Sequence, residues 1–302
     1  MRLRIGTRGS ALALAQANWV KAQLVRNQPG LEVELQIVKT SGDRLLDIPI
    51  QGLGGKGVFT KEIEEALLRN EIDLAVHSMK DLPPRLPGGL VIAAVPVRED
   101  ARDVLVTREK RAFADLPSGT IIGTGSLRRQ AQLLHKRGDL EIVAMRGNVD
   151  TRLRKLDEGQ LDALVMAAAG LKRIGREDRI GEYLADEVCV SAVAQGALGI
   201  ESREASSVRE HLHFLHDAAT SSEVAAERAL LDRLGGSCYV PIGARGRLSE
   251  SQLTLTGVVV SPDGTRMCRG EISGHADGAV DLGHRLAEEL LRQGAAELLA
   301  GR

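Results

Sequence analysis

What most constrains the fold of this chain is an alternation that occurs twice. Short apolar runs of strand length are followed by stretches with helical periodicity, and after about residue 101 the pattern starts again. In the first block, residues 3–6 read as a strand and 11–27 as a helix with Leu12, Ala15, Trp19 and Ala22 on one face. Residues 31–38 read as a strand, and 61–69 as a helix with Ile63, Ala66 and Leu67 turned inward. Residues 72–76 and 91–95 read as further strands. The second block gives strands at 104–107, 120–123, 141–144 and 163–166, with helices at 127–137 and 149–158. Strands that alternate with helices build βαβ units and largely parallel sheets, so the two blocks imply two α/β domains with a boundary near 96–101.

The tail differs in kind. Thr220-Ser221-Ser222-Glu223 has the capping-box pattern and opens a helix running to Leu234, which Gly235-Gly236 stops. Residues 253–260 alternate and lead into Ser261-Pro262-Asp263-Gly264, a turn signal, with 267–272 as the returning strand. Residues 281–299 close the chain as one helix. This stretch reads as a smaller α+β domain.

Composition excludes several functions. A net charge of −1 over 302 residues is not that of a general nucleic-acid binder, and 2% aromatic residues leave no base-stacking platform. Three scattered cysteines, Cys189, Cys238 and Cys268, make neither a CxxC pair nor a disulfide framework, which fits a reducing compartment. No apolar run has the roughly 20 residues of a membrane span. The expectation is a cytoplasmic protein. Of 40 basic residues, 31 are Arg and 9 Lys. A GC-rich genome accounts for such a bias, and so does a need for forked guanidinium donors to planar anions; position decides.

In open parallel sheets, ligands bind where strands end and helices begin. Three such turns here combine small residues, a hydroxyl or amide cap and arginine: Thr7-Arg8-Gly9-Ser10, Thr124-Gly125-Ser126-Leu127-Arg128-Arg129, and Arg146-Gly147-Asn148 with Arg152 one turn later. Free N–H groups at helix starts favour anions, and arginine adds to that. The strand at 72–76 runs into His77-Ser78-Met79-Lys80-Asp81, where a surface ion pair and a functional Lys–Asp pair are equally compatible with local sequence. Gly52–Gly57 lacks the Lys-Ser/Thr of a Walker A loop, so a Gly-rich loop carrying Lys56 is the better reading. Gly123-Thr124-Gly125 lacks the third glycine of a dinucleotide fingerprint, and His211, His213 and His216 lack companions at metal-ligand spacing. No metal is expected. Cys238 sits in a Gly-rich turn after a helix end, open both to a buried inert role and to close approach by a ligand.

Taken in order, these segments resemble the porphobilinogen deaminase (hydroxymethylbilane synthase) family. The resemblance is carried by Gly6-Thr7-Arg8-Gly9-Ser10, Gly54-Gly55-Lys56-Gly57, His77-Ser78-Met79-Lys80-Asp81, Gly125-Ser126-Leu127-Arg128-Arg129-Gln130, Arg146-Gly147-Asn148, Gly170-Leu171-Lys172-Arg173, and Glu227-Arg228 leading to Cys238-Tyr239-Val240-Pro241. Ser237 and Tyr239 depart from the family's usual glycine and glutamine beside the cysteine.

The resemblance implies two α/β domains like those of periplasmic binding proteins with a cleft between them, and a C-terminal α+β domain. It divides the chain into 1–97 with 193–216, 98–192, and 217–302. It implies a transferase that condenses four porphobilinogen molecules into hydroxymethylbilane with release of ammonia, primed on a dipyrromethane cofactor joined by a thioether to Cys238. Asp81 is then the catalytic carboxylate. Lys80, Asp81, Thr124, Ser126, Arg128, Arg129, Arg146 and Asn148 hold the cofactor. Arg8, Ser10, Arg146, Arg152 and Arg173 hold substrate carboxylates, and Lys56 and Phe59 belong to a lid. A monomer that passes its product to the next tetrapyrrole enzyme is expected. The competing readings are a non-catalytic carboxylate-binding protein, which leaves Cys238 and Lys80-Asp81 unexplained, and a phosphate-handling transferase, disfavoured by the broken phosphate loop.

Overall fold

The computed structural model describes residues 2–41, 60–235 and 240–300. The strands are β1 (Arg2–Thr7), β2 (Glu32–Ile37), β3 (Leu74–Ser78), β4 (Leu90–Ala94), β5 (Asp103–Thr107), β6 (Ile121–Thr124) and β7 (Glu141–Ala144). They continue as β8 (Ala163–Ala167), β9 (Glu182–Tyr183), β10 (Leu198–Arg203), β11 (Ile242–Ser249), β12 (Gln252–Val260) and β13 (Met267–His275). The helices are α1 (Ala11–Asn27), α2 (Lys61–Leu68), α3 (Leu127–Lys136), α4 (Val149–Asp157), α5 (Ala168–Arg173), α6 (Ala218–Arg233), α7 (Ala279–Arg292) and α8 (Ala295–Ala300). The chain divides into two compact units, residues 1–98 with 197–221, and 99–196 with 222–302.

The first unit is built on a five-stranded sheet of order β2-β1-β3-β10-β4. β1 pairs in parallel with β2 and β3, and β10 runs antiparallel to β3 and β4. Apolar clusters cover the sheet. Leu3, Ile5, Val76 and Ile200 pack with Ala17, Val20 and Leu24 of α1, and a second cluster joins Ile63, Ala66 and Leu67 of α2 to Ile72 and Ala75. The inward face expected for α2 is therefore the one observed. That expected for α1 is not: Trp19 is 42% exposed, and the buried stripe is Gln16, Ala17, Val20 and Leu24. The first turns of α1 are apolar all round, so a stripe anchored on the large aromatic fitted the helical period as well as the true one.

The second unit holds a five-stranded sheet of order β7-β6-β8-β5-β9 and a three-stranded antiparallel sheet β11-β12-β13. In both five-stranded sheets three parallel strands are followed by an antiparallel one. In the first sheet that strand, β10, comes from the returning chain; in the second it is β5, the strand that opens the block. β5 is buried along its whole length, as expected of a strand covered on both faces. The return passes Ala194 and Gly196, both with positive φ, and a side chain at Gly196 would lie 2.2 Å from Glu99 O. Only glycine permits that backbone approach.

In the C-terminal part, β12 and β13 form a hairpin across the expected turn. Gly264 has φ +76, and Ser261 N donates to Arg266 O at 2.8 Å. Two expectations need correction. Helix α6 starts at Ala218 and is capped by Asp217, whose Oδ1 accepts from Thr220 N at 2.7 Å. Thr220 and Glu223 serve other partners, accepting from Arg98 N and Leu248 N. The closing helix is two helices, because Gly294 at φ +98 ends α7.

Candidate active site

In the first unit the turn after β1 becomes the start of α1. Ser10 Oγ accepts from Ala13 N at 3.3 Å, and the Thr7 hydroxyl donates to Ala13 O at 3.2 Å. One turn on, Gln16 Nε2 donates to Ser78 Oγ at 2.8 Å and ties the helix to the end of β3. β3 then passes into a 3-10 turn, Met79–Asp81. Met79 is buried and its N–H donates to Ala197 O at 3.0 Å, which anchors the turn and leaves the Asp81 carboxylate at the surface. Arg8, Ser10, Gln16, His77, Ser78 and Asp81 line one pocket, so the first turn and Asp81 share it.

In the second unit the turn after β6 packs against the turn after β7. A side chain at Gly125 would lie 2.6 Å from Met145 O, so glycine lets the two turns touch. Thr124 Oγ1 accepts from Ser126 N at 3.3 Å, and Ser126 caps α3 by accepting from Arg129 N. Asn148 caps α4, its Oδ1 accepting from Thr151 N at 2.9 Å. These caps fix the first helical turns and so aim the arginines that follow.

Arg128 and Arg129 are 4% and 6% exposed and converge on Asp103, which is fully buried at the start of β5. Asp103 Oδ2 accepts from Arg128 Nη1 at 2.7 Å, and Oδ1 accepts from Arg129 Nε and Nη2 at 2.9 and 2.8 Å. Gln195 Nε2 donates to Oδ1 at 2.8 Å, and Cys189 Sγ lies 3.3 Å from Oδ2. Burial works against the Asp103 charge, but the two guanidiniums outweigh it and hold the carboxyl well below the ordinary range. Burial also opposes the Arg128 charge, and Asp103 more than restores it. The same surroundings push the Cys189 thiol up to about 12, through burial first and Asp103 second.

One carboxylate does not satisfy this cluster. Among the described residues, Arg128 Nε and Nη2 are buried without a hydrogen-bond partner. Arg152 donates Nε to Gly147 O, and burial, with Arg129 close by, brings its guanidinium down to about 10. Burial likewise brings Arg173 to about 10, with Glu99 in partial opposition. Arg128 thus keeps two buried donors unspent, and Arg152 and Arg173 are half-buried cations.

The structure thus gathers Arg8, Ser10 and Asp81 in one site, and Thr124, Ser126, Arg128, Arg129, Asn148 and Arg152 on two touching turns. Lys56, Phe59, Ser237, Cys238, Tyr239 and the Gly52–Gly57 loop lie outside the described residues. His211 Nδ1 sits 2.6 Å from Gln28 Oε1, and His216 Nδ1 accepts from Val95 N, so both have structural partners. Sequence reading missed Asp103, Gln195 and Gln16. A lone aspartate heading the apolar run Val104-Leu105-Val106 was the available signal for the first.

Two five-stranded α/β sheets with arginine-bearing strand-to-helix turns, and a pocket lined by both Arg8 and Asp81, define an α/β protein with charged side chains gathered at its strand ends. Its family follows from comparison with known proteins. The profile described as "Porphobilinogen deaminase, dipyromethane cofactor binding domain" matches residues 3–210, and the profile of the porphobilinogen deaminase C-terminal domain matches 221–292. The porphobilinogen deaminase of Geobacter sulfurreducens is 54% identical over 300 residues, covering 99% of this chain and 94% of its own. That of Pelobacter propionicus is 53% identical over 299 residues, covering 99% and 96%. Among solved structures, a putative methionine-binding lipoprotein of Bacillus subtilis has a TM-score of 0.43 at 14% identity, covering 71% of this chain and 89% of its own. The chain belongs to the porphobilinogen deaminase family. It condenses four porphobilinogen molecules into hydroxymethylbilane with release of ammonia, using a dipyrromethane cofactor. Among the described residues no helix is long and apolar enough to cross a membrane.

Proposed function

We propose that the two arginine-bearing turns of the second unit, with Arg173, hold the acetate and propionate groups of pyrroles, and that Asp81 is the catalytic carboxylate. The observation that carries this reading is the buried Arg128 guanidinium, whose Nε and Nη2 have no partner among the described residues while Nη1 is already committed to Asp103. A buried cation with spare donors is stabilised when an anion completes its shell.

The cofactor, when bound through Cys238, supplies the pyrrole end to which substrate is joined. Arg128, Arg129, Arg146 and Lys80 hold its carboxylates, with Thr124, Ser126 and Asn148 as neutral partners. Arg8, Ser10, Arg146, Arg152 and Arg173 orient incoming porphobilinogen. Asp81 accepts hydrogen bonds from pyrrole N–H groups and stabilises the cation left on the substrate when ammonia departs. Lys56 and Phe59 act as a lid that excludes water from the reacting pair. The chain works as a cytoplasmic monomer with domains 1–97 plus 193–216, 98–192 and 217–302, and its product passes to the next tetrapyrrole enzyme.

Asp81→Asn tests the assignment. It keeps the fold and the cofactor, because Asp81 is exposed and the turn is anchored by Met79, and it loses most turnover. Near-normal kcat in that variant contradicts the catalytic role.

A further inference from the structure

Behind the pocket wall of the first unit lies a group of ionisable side chains with no part in the scheme above. His77 is 6% exposed, yet it lines the pocket with Arg8, Ser10 and Asp81. Its Nε2 lies 2.9 Å from Oε2 of Glu201, a fully buried residue on β10, the antiparallel neighbour of β3. The second oxygen of Glu201, Oε1, has no hydrogen-bond partner among the described residues. Glu64 of α2 is 6% exposed, and one of its oxygens is also without a partner. Burial raises the Glu64 carboxyl, the Thr60 hydroxyl opposes the rise, and the Glu201 charge adds to it. Among the described residues, the charged groups that meet His77 or line its pocket are Glu201, Glu64, Arg8 and Asp81; Glu65, next to Glu64, is ion-paired with Arg69.

Burial raises the Glu64 carboxyl, and of the two buried carboxylates Glu201 is the one set directly against the imidazole, its Oε2 2.9 Å from His77 Nε2. A carboxylate so placed fixes the tautomer and stabilises the imidazolium that forms when the other ring nitrogen gains a proton. The pair stands at the wall of a pocket whose other carboxylate is assigned to the cation.

We propose that His77, oriented by Glu201, accepts the proton that leaves the pyrrole α-carbon in each condensation. This rests on the assignment of the pocket as the reacting site. The aminomethyl group enters as its ammonium form, and the C–N bond breaks with its electron pair leaving on ammonia. The new C–C bond forms from the pyrrole α-carbon. The α C–H bond then breaks, its electrons restore the aromatic ring, and its proton passes to His77, which returns it to solvent before the next round. Glu201 and Glu64 touch neither substrate nor reacting atoms; they are positioning residues.

The test uses the holoenzyme and its His77→Gln, Glu201→Gln and Asp81→Asn variants, with porphobilinogen carrying hydrogen or deuterium at its free α-position. His77→Gln is expected to lose about 10²-fold or more in kcat with KM within a few-fold, the range that loss of a general base gives. It is expected to lose the acid limb of the kcat profile and to gain a primary deuterium effect on kcat. Glu201→Gln removes the charge that supports the imidazolium, so the acid limb and the NMR titration midpoint of His77 both move to lower pH. An unaltered acid limb and no isotope effect in His77→Gln of unchanged Tm would overturn the proposal, as would an unshifted midpoint in Glu201→Gln. If His77→Gln does not fold, the midpoint shift alone decides. Normal turnover in Asp81→Asn instead defeats the pocket assignment itself, whereas an inactive Asp81→Asn beside a normal His77→Gln defeats only this step.

Discussion

Asp103 is the residue on which the second site turns. It accepts four nitrogen donors at 2.7–2.9 Å, from Arg128, Arg129 and Gln195, in full burial. Removing one partner of a buried charge cluster costs about 3–5 kcal/mol, because the other charges stay behind. Asp103→Asn is expected to lower stability by that order in urea unfolding and to lower covalent cofactor content in parallel. A stable variant with full cofactor content contradicts the organising role. The pH dependence has a definite sign. The carboxyl is held below its unfolded value of about 3.9, so its contribution is present above that pH and lost as pH falls through the folded value. Cys189 behaves oppositely. Its thiol rises to about 12 in the fold, so it stays protonated, and its contribution is lost as pH rises from about 9 towards 12. Native alkylation at pH 8 is expected to spare Cys189, which mass mapping checks; rapid labelling there contradicts the burial described.

At the scale of elements, close contact rather than propensity sets the exact arrangement. Gly283 in α7 faces α6, and a side chain there would lie 2.3 Å from Ala226 O and 2.7 Å from the Ala229 methyl group. The helix cannot shift freely, since its other face covers β12 and β13 with Leu282 and Leu286. Gly283→Ala is expected to destabilise by about 1–3 kcal/mol, the usual cost of overpacking, measured as a lower Tm; an unchanged Tm shows that α7 can move away from α6. Such contacts explain where sequence reading stopped. The alternation of apolar runs located β1 to β8 and α1 to α4 to within about two residues, because period and caps are local properties. The face of α1 was not legible, since Ala11 to Ala15 are apolar on every side. The cap of α6 shifted to Asp217 because tertiary partners claimed Thr220 and Glu223. Arg8, Arg128 and Arg129 were legible as arginines at strand-to-helix turns. Gln195 and Glu201 were not, because their partners come from distant segments, and Asp103 showed only as a lone aspartate heading an apolar run.

For the whole molecule, two sheets of like strand order each receive their antiparallel strand through a crossing of the chain. The return crossing is fixed by Glu227 of α6, whose Oε2 accepts from Ala194 N at 2.5 Å and whose Oε1 accepts from Gly246 N at 2.7 Å. One buried carboxylate thus ties the crossing to the three-stranded sheet that follows it. The proposed function requires that the chain carry its dipyrromethane on Cys238 and extend it with porphobilinogen. Intact-protein mass spectrometry of the purified chain, followed by peptide mapping, tests it most directly. An added mass of two condensed pyrrole units on the Cys238 peptide is expected, with further stepwise additions on incubation with porphobilinogen. A chain of unmodified mass that gains nothing from porphobilinogen, or a modification mapped to Cys189 or Cys268, contradicts it.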